Sequence, residues 1–115
     1  MGITEPVATF SACFGEAFLP KHPYVYAKML AELTEKYHSN VWLVNTGWSG
    51  GKYGVGKRMK LSITRKILDE IHNGNMQKAE YQKIPGFNLM IPTKCDGVDS
   101  KILNPINTWS DKNEF

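Results

Sequence analysis

Gly47-Trp48-Ser49-Gly50-Gly51-Lys52-Tyr53-Gly54-Val55-Gly56-Lys57-Arg58 holds five glycines in twelve positions and follows the apolar run Val41-Trp42-Leu43-Val44. Glycine tolerates positive φ and lets backbone amides come close to a ligand, so loops of this kind often cradle phosphates. Gly51, Gly56 and Lys57 satisfy the spacing G-x-x-x-x-G-K, but Arg58 stands where a P-loop places Ser or Thr on Mg2+. A P-loop must also open a helix. Here Arg58-Met59-Lys60-Leu61-Ser62-Ile63 alternates polar and apolar side chains, which predicts a strand over Arg58 to Ser62. The stretch therefore reads as an anion-facing loop and not as a Walker motif.

Upstream of the loop, His22-Pro23 starts a helix running to about Tyr37. Pro23 suits the first helical position, and Tyr26, Met29, Leu30, Leu33 and Tyr37 recur at steps of three and four. The short run Val41 to Asn45 then predicts a buried strand, parallel because a helix precedes it, with the glycine loop at its carboxyl end. Downstream, a second helix is expected over Ile63 to Asn73, with Ile67, Leu68 and Ile71 inward and Gly74 as its terminator. Ala79 to Lys83 and Phe87 to Ile91 each suit a strand, with Pro85-Gly86 between them. These elements predict an α/β fold, a mixed sheet with flanking helices, in a single partial domain over residues 1–115. Phe10, Phe14 and Phe18 fall four apart and are assigned to core packing. Trp109 is followed by Ser110-Asp111, a helix N-cap pattern, yet the sequence ends at Phe115, which reads as a truncated product.

The net charge is +3, but it is unevenly placed. From Lys36 to Leu68 there are seven basic residues and no acidic one, while the rest holds seven basic and eleven acidic side chains. A localised positive field suits an anionic ligand. Trp48 and Tyr53 offer stacking faces, but one short basic segment without a recognisable motif argues against nucleic acid as a partner. No apolar run approaches the roughly 20 residues of a membrane span, and no signal pattern stands at the N-terminus. Cys13 and Cys95 have no Cys or His at metal-ligand spacing, so reduced thiols in a cytoplasmic protein are expected.

No catalytic constellation can be assembled from position alone. The sequence lacks H-E-x-x-H and any adjacent carboxylate pair, and Ser49 lacks the G-x-S-x-G frame of a nucleophile elbow. The residues by themselves point to an α/β segment that binds a phosphate or nucleotide.

Longer motifs extend that reading. Trp42-Leu43-Val44-Asn45-Thr46-Gly47-Trp48 with Gly50-Gly51-Lys52-Tyr53-Gly54-Val55-Gly56-Lys57-Arg58 resembles ATP-dependent phosphoenolpyruvate carboxykinase. So do Ala12-Cys13-Phe14-Gly15-Glu16-Ala17-Phe18-Leu19-Pro20, His22-Pro23 and Tyr26-Ala27 upstream. Thr64-Arg65, Asn73-Gly74, Phe87-Asn88-Leu89, Ile91-Pro92, Gly97-Val98 and Ile102-Leu103-Asn104-Pro105 follow in order, so the resemblance spans about residues 7 to 112. It implies a lyase of gluconeogenesis that converts oxaloacetate and ATP to phosphoenolpyruvate, CO2 and ADP with Mg2+ and Mn2+. It also implies a place in the C-terminal, nucleotide-binding part of that enzyme. The family's P-loop, its Mn2+ ligands and its oxaloacetate-binding arginines lie upstream of the matched segment, so the chain alone is expected to be inactive.

Three nucleotide-binding positions carry over by motif: Arg58, Met59 and Thr64, on the adenosine side of the ATP site, with Phe18 as a further wall. Their chemistry agrees. A guanidinium stacks on a base or pairs with an anion, a thioether packs on a ring face, and a hydroxyl hydrogen-bonds. A surface Arg, a core Met and a helix N-cap Thr are the ordinary alternatives. No catalytic residue and no metal ligand is assigned. Two other roles stay open: a stand-alone nucleotide- or phosphate-binding module, and an interaction fragment whose exposed edges favour self-association.

Overall fold

The computed structural model describes residues 2, 7 and 9–115. The chain divides into two units, Met1–Val44 and Asn45–Phe115, each considered by itself.

In the first unit, one 3-10 turn, Glu16–Phe18, precedes helix α1, Pro23–Tyr37. The expected helix is present with its expected start. His22 is the N-cap, and its Nδ1 accepts a hydrogen bond from the Tyr24 amide at 3.2 Å, while Pro23 needs no acceptor for an N–H. His38 terminates the helix in the left-handed conformation at φ 50°, its amide donating to the Thr34 carbonyl. Lys28 and Glu32 pair across one turn at 3.8 Å, which adds only a few tenths of a kcal/mol at this exposed position.

Two sequence expectations fail here. Phe10, Phe14 and Phe18 are not core residues; they are 83%, 111% and 89% exposed. The residues around them close tight turns, with the Glu16 amide on the Cys13 carbonyl and the Phe18 amide on the Gly15 carbonyl, so no helix stacks the rings. Val41 to Asn45 likewise forms no strand, and Val41, Leu43 and Val44 lie exposed. A strand needs a neighbour to take up its amides and carbonyls, and among the described residues no strand pairs with this run. The apolar stripe of α1 is also open: Met29, Leu30, Leu33 and Tyr37 all stay exposed.

The second unit has two small antiparallel sheets and two helices. Strands β1, Trp48–Ser49, and β2, Lys57–Arg58, pair Trp48 with Arg58 and Ser49 with Lys57. Helix α2, Leu61–His72, follows directly. The strand expected over Arg58 to Ser62 is thus confined to its first residue, and the helix begins two residues before Ile63. Met59, Leu61 and Ile63 satisfy a two-residue repeat, but Ile63, Ile67 and Ile71 satisfy the helical one, and the longer repeat prevails. Gly74, at φ +74°, ends α2 as expected, its amide donating to the Ile71 carbonyl.

A 3-10 turn, Met76–Lys78, leads to β3, Tyr81–Lys83, which pairs with β4, Met90–Pro92. The register sets Tyr81 opposite Pro92 and Lys83 opposite Met90. Thr93 extends the pair, since both its amide and its hydroxyl donate to the Glu80 carbonyl at 2.9 and 3.2 Å. β3 falls within the expected Ala79 to Lys83, whereas β4 starts three residues after Phe87 and runs one residue beyond Ile91. Beyond them, Cys95 and Val98 form a bridge around Asp96-Gly97, with Gly97 at φ +71°. Helix α3, Ser100–Leu103, is capped by Asp99, whose carboxylate accepts from the Lys101 amide at 3.0 Å. Ser110-Asp111 caps no helix: Asp111 accepts from the Asn113 amide at 2.8 Å in a local turn. Trp109 packs edge-on against Phe115 at 5.7 Å. Helices together with small sheets make this an α/β fold, with antiparallel pairing in both sheets.

Candidate functional site

The glycine loop is the turn of the β1–β2 hairpin. The amides of Val55 and Gly56 both donate to the Lys52 carbonyl, at 3.0 and 2.9 Å, and the Met59 amide donates to the Gly47 carbonyl at 3.0 Å. Gly56 is buried, and a Cβ on it would overlap the Gly51 carbonyl oxygen. This close approach of two backbones explains a glycine whose φ makes no special demand. The hairpin is tied to the 3-10 turn Pro105–Thr108 by Ser49 Oγ donating to Thr108 Oγ1 at 3.1 Å, and Thr108 Oγ1 donates to the Pro105 carbonyl at 2.7 Å. Lys52 pairs with Glu114 at 3.7 Å. Two loop amides and one loop cation are therefore engaged within the chain. The sequence reading of the loop as an anion cradle overlooked these internal partners.

The positive groups that face outward come after the turn. Arg58 ends β2, is exposed, and makes no ion pair among the described residues. Met59 is half-buried between β2 and α2. Thr64 lies in the first turn of α2, half-buried, with its amide on the Lys60 carbonyl at 3.3 Å. Lys60, not Thr64, occupies the N-cap position and caps with no side-chain bond, so the N-cap role for Thr64 is ruled out. The β2–α2 junction thus carries Arg58, Met59 and Thr64 within one short stretch, at the positive end of a helix dipole. Phe18 belongs to the first unit and is exposed there.

At the far end of α2, Glu70 is the only charged residue that is buried among those described, at 4% exposure. Its Oε1 accepts from Lys66 Nζ at 2.8 Å and its Oε2 from Asn75 Nδ2 at 2.9 Å. Lys66 reaches toward Asp96 as well, 3.9 Å away. Its stem covers Gly97, where a Cβ would come within 2.9 Å of Lys66 Cε. The hydrogen bond from Lys66, reinforced by that from Asn75, holds the Glu70 carboxyl below its ordinary 4.5 against the opposing effect of burial. The hydrogen bond to Glu70 correspondingly raises the Lys66 ammonium above its ordinary 10.5. Two open concavities, about 550 and 560 Å3, adjoin this region and are lined by Thr93 to Val98, Ser100, Glu70, Asn75, Met76, Ala79 and Glu80; neither includes Arg58, Met59 or Thr64.

The phosphoenolpyruvate carboxykinase family model matches residues 1–101. Curated relatives named phosphoenolpyruvate carboxykinase (ATP) agree closely. That of Campylobacter jejuni subsp. doylei is 60% identical over 114 residues, covering 99% of this chain and 22% of the relative. That of Caldanaerobacter subterraneus subsp. tengcongensis is 60% identical over the same coverage, and that of Zea mays 62% over 111 residues, 96% of this chain and 17% of the relative. The chain belongs to the ATP-dependent phosphoenolpyruvate carboxykinase family. It spans about a fifth of the length of these carboxykinases.

Relative to the carboxykinase motifs, the β2–α2 junction holds every position that the resemblance singled out in the second unit. The Lys66–Glu70–Asn75 arrangement was not singled out, although Lys66 and Glu70 stand four apart on a helix, the signal by which the pair is legible. Among the described residues, no three His, Cys, Asp or Glu side chains converge as metal ligands, and no helix is long and apolar enough to cross a membrane.

The two ionisable partners give a pH signature with a definite sign. Glu70, depressed when folded, contributes stability above its ordinary 4.5 and loses it as pH falls through its lowered value. Lys66, raised when folded, contributes stability below its ordinary 10.5 and loses it as pH climbs through its raised value. The Cys95 thiol and the Tyr81 hydroxyl, both raised chiefly by burial, begin to withdraw stability above their ordinary 9.0 and 10.0, so the urea midpoint of the chain is expected to be flat from pH 4.5 to 9.0 and to drop outside those bounds. In Lys66→Met both flanks should become shallower; identical profiles for parent and variant would contradict the assignment.

Proposed function

We propose that this chain supplies the adenosine side of the ATP site in a cytoplasmic carboxykinase of gluconeogenesis, which converts oxaloacetate and ATP to phosphoenolpyruvate, CO2 and ADP. Arg58, Met59 and Thr64 are its nucleotide contacts. The observation that carries the reading is 60% identity over 114 residues to proteins whose names specify ATP. The guanidinium of Arg58, exposed and making no ion pair among the described residues, supports it, because a side chain locked into an internal ion pair would have no contact to offer. Arg58 stacks on the base or meets a phosphate oxygen, Met59 packs on the ring face, and the Thr64 hydroxyl takes a hydrogen bond from or gives one to the nucleoside.

Mg2+ and Mn2+, which the family reading brings with it, find no fitting group of ligands among the described residues. No step is assigned to a metal held by this chain. Oxaloacetate and phosphoenolpyruvate likewise belong to other parts of such an enzyme, and the role proposed for these 115 residues is binding and orientation of the nucleotide.

Calorimetric titration of the chain with ATP tests this. Saturable binding is expected, weakened about tenfold in Arg58→Ala, the loss of one hydrogen bond to a charged partner. Arg58→Lys should recover only part of it, since an ammonium keeps the charge but not the planar face. No heat at millimolar ATP from a chain shown to be folded by near-ultraviolet dichroism would remove the proposal.

A further inference from the structure

Helix α2 joins the β1–β2 hairpin to the Glu70 network within the second unit. Its first turn carries Thr64, one residue after Ile63 and five after Met59, whose amide is fixed to the Gly47 carbonyl of the hairpin. Its last turns carry Glu70, whose two carboxylate oxygens are both engaged. Six residues separate Thr64 from Glu70, about 9 Å of rise and about 600° of turn, so Thr64 stands about 120° around the helix from Glu70. Whatever fixes the roll of α2 at Glu70 therefore fixes the direction in which Thr64 points.

The means of fixing it are specific. Glu70 bridges three segments: α2 itself through Lys66, the turn after α2 through Asn75, and the Cys95–Val98 turn through the Lys66 stem on Gly97. Each partner has one way to fit. Asn75 donates its amide to the carboxylate oxygen that Lys66 leaves open, and Gly97, at φ +71°, leaves room for the lysine stem that any Cβ would fill. Met76, the residue after Asn75, is buried at 4% exposure. Lys66 turns with the helix, but a change in its roll would break the bond from Asn75, leave one buried carboxylate oxygen unsatisfied, and lift the Lys66 stem from Gly97.

We propose that Glu70 is a positioning residue for the nucleotide end of α2, acting through Lys66 and Asn75 to set the helix roll that presents Thr64 and the adjoining Arg58 and Met59. This rests on the adenosine-site reading above. It adds that the affinity for ATP is governed in part by a network that touches no ligand.

Two measurements on the 115-residue chain test it, one of which needs no ligand. In Glu70→Gln, whose side chain keeps its size but not its charge, amide hydrogen exchange at Ile63 and Thr64 should accelerate about fivefold, and ATP should bind about tenfold more weakly. The effect of Arg58→Ala should shrink in the Glu70→Gln background, to about threefold, as expected for coupled residues. Lys66→Arg, which keeps the charge, should retain nearly parental values. If Glu70→Gln fails to fold, the double variant Lys66→Met/Glu70→Leu, which fills the site with apolar groups, takes its place: it should fold and still weaken ATP binding.

Faster exchange confined to residues 70–78, or ATP affinity within twofold of the parent, would overturn the positioning role while the adenosine-site reading stands. A folded parent that binds no ATP would sink both, and persistent acceleration at Ile63 and Thr64 would then identify the network as structural only.

Discussion

Gly56→Ala is expected to lower the stability of the second unit by about 3 kcal/mol and to remove most ATP binding with it. The added methyl meets the Gly51 carbonyl oxygen, and the Gly51 carbonyl carbon and Ser49 oxygen at 3.1 Å each. All three are backbone atoms, so no side chain can swing away and the two arms of the hairpin must part. Gly54→Ala provides the contrast. Gly54 has a left-handed φ of +86° but nothing within 4 Å of the new methyl, so the change should cost about 1 kcal/mol through backbone strain alone. Urea midpoints of the two variants, followed by dichroism, separate close approach from strain; equal midpoints would show that the hairpin yields freely. The Met59 amide, bonded to the Gly47 carbonyl, gives a local reading by hydrogen exchange.

The second large effect concerns association. In the 115-residue chain, three phenylalanines, the stripe of α1 and the run Val41 to Val44 expose large apolar side chains. Complete burial of one such side chain is worth about 1.5–3 kcal/mol, so a few of them suffice for micromolar association. At about 50 µM the isolated chain is therefore expected to form oligomers by sedimentation velocity. Met29→Lys/Leu33→Lys and Phe10→Ser/Phe14→Ser/Phe18→Ser should each shift the distribution toward monomer, and the larger shift identifies the face used. A single monomeric boundary at every concentration would refute the expectation.

How far the sequence disclosed this arrangement depends on the range of the interactions involved. The His22-Pro23 start of α1 and the stripe from Tyr26 to Tyr37 act within a few residues, and the helix is where they place it. The β3–β4 pair is announced by two strand-like segments on either side of Pro85-Gly86, though its ends are set by pairing, which starts the second strand at Met90 and not at Phe87. Val41 to Asn45 shows the opposite case. An apolar run reads as buried, but burial requires a neighbour, and no strand among the described residues supplies one.

The candidate site divides in the same way. Arg58, Met59 and Thr64 are proposed through motif resemblance, and they lie in one short stretch at the β2–α2 junction. Hairpin closure was not legible, because Ser49 and Thr108 stand 59 positions apart. Lys66 and Glu70 were legible as a helical pair, but nothing in the sequence announces that Asn75 and Gly97 complete the arrangement. The two-residue repeat at Met59, Leu61 and Ile63 was misleading because a window so short fits both strand and helix.

The two sulfhydryls differ in a useful way: Cys13 lies open to solvent, whereas Cys95 is enclosed, its acidity suppressed chiefly by that enclosure. An alkylating reagent consequently meets one reactive sulfur on the intact polypeptide and a second only when the Cys95–Val98 turn opens. The molecule thus contains its own clock for that opening, with mass spectrometry counting the adducts and Cys13 serving as the internal reference.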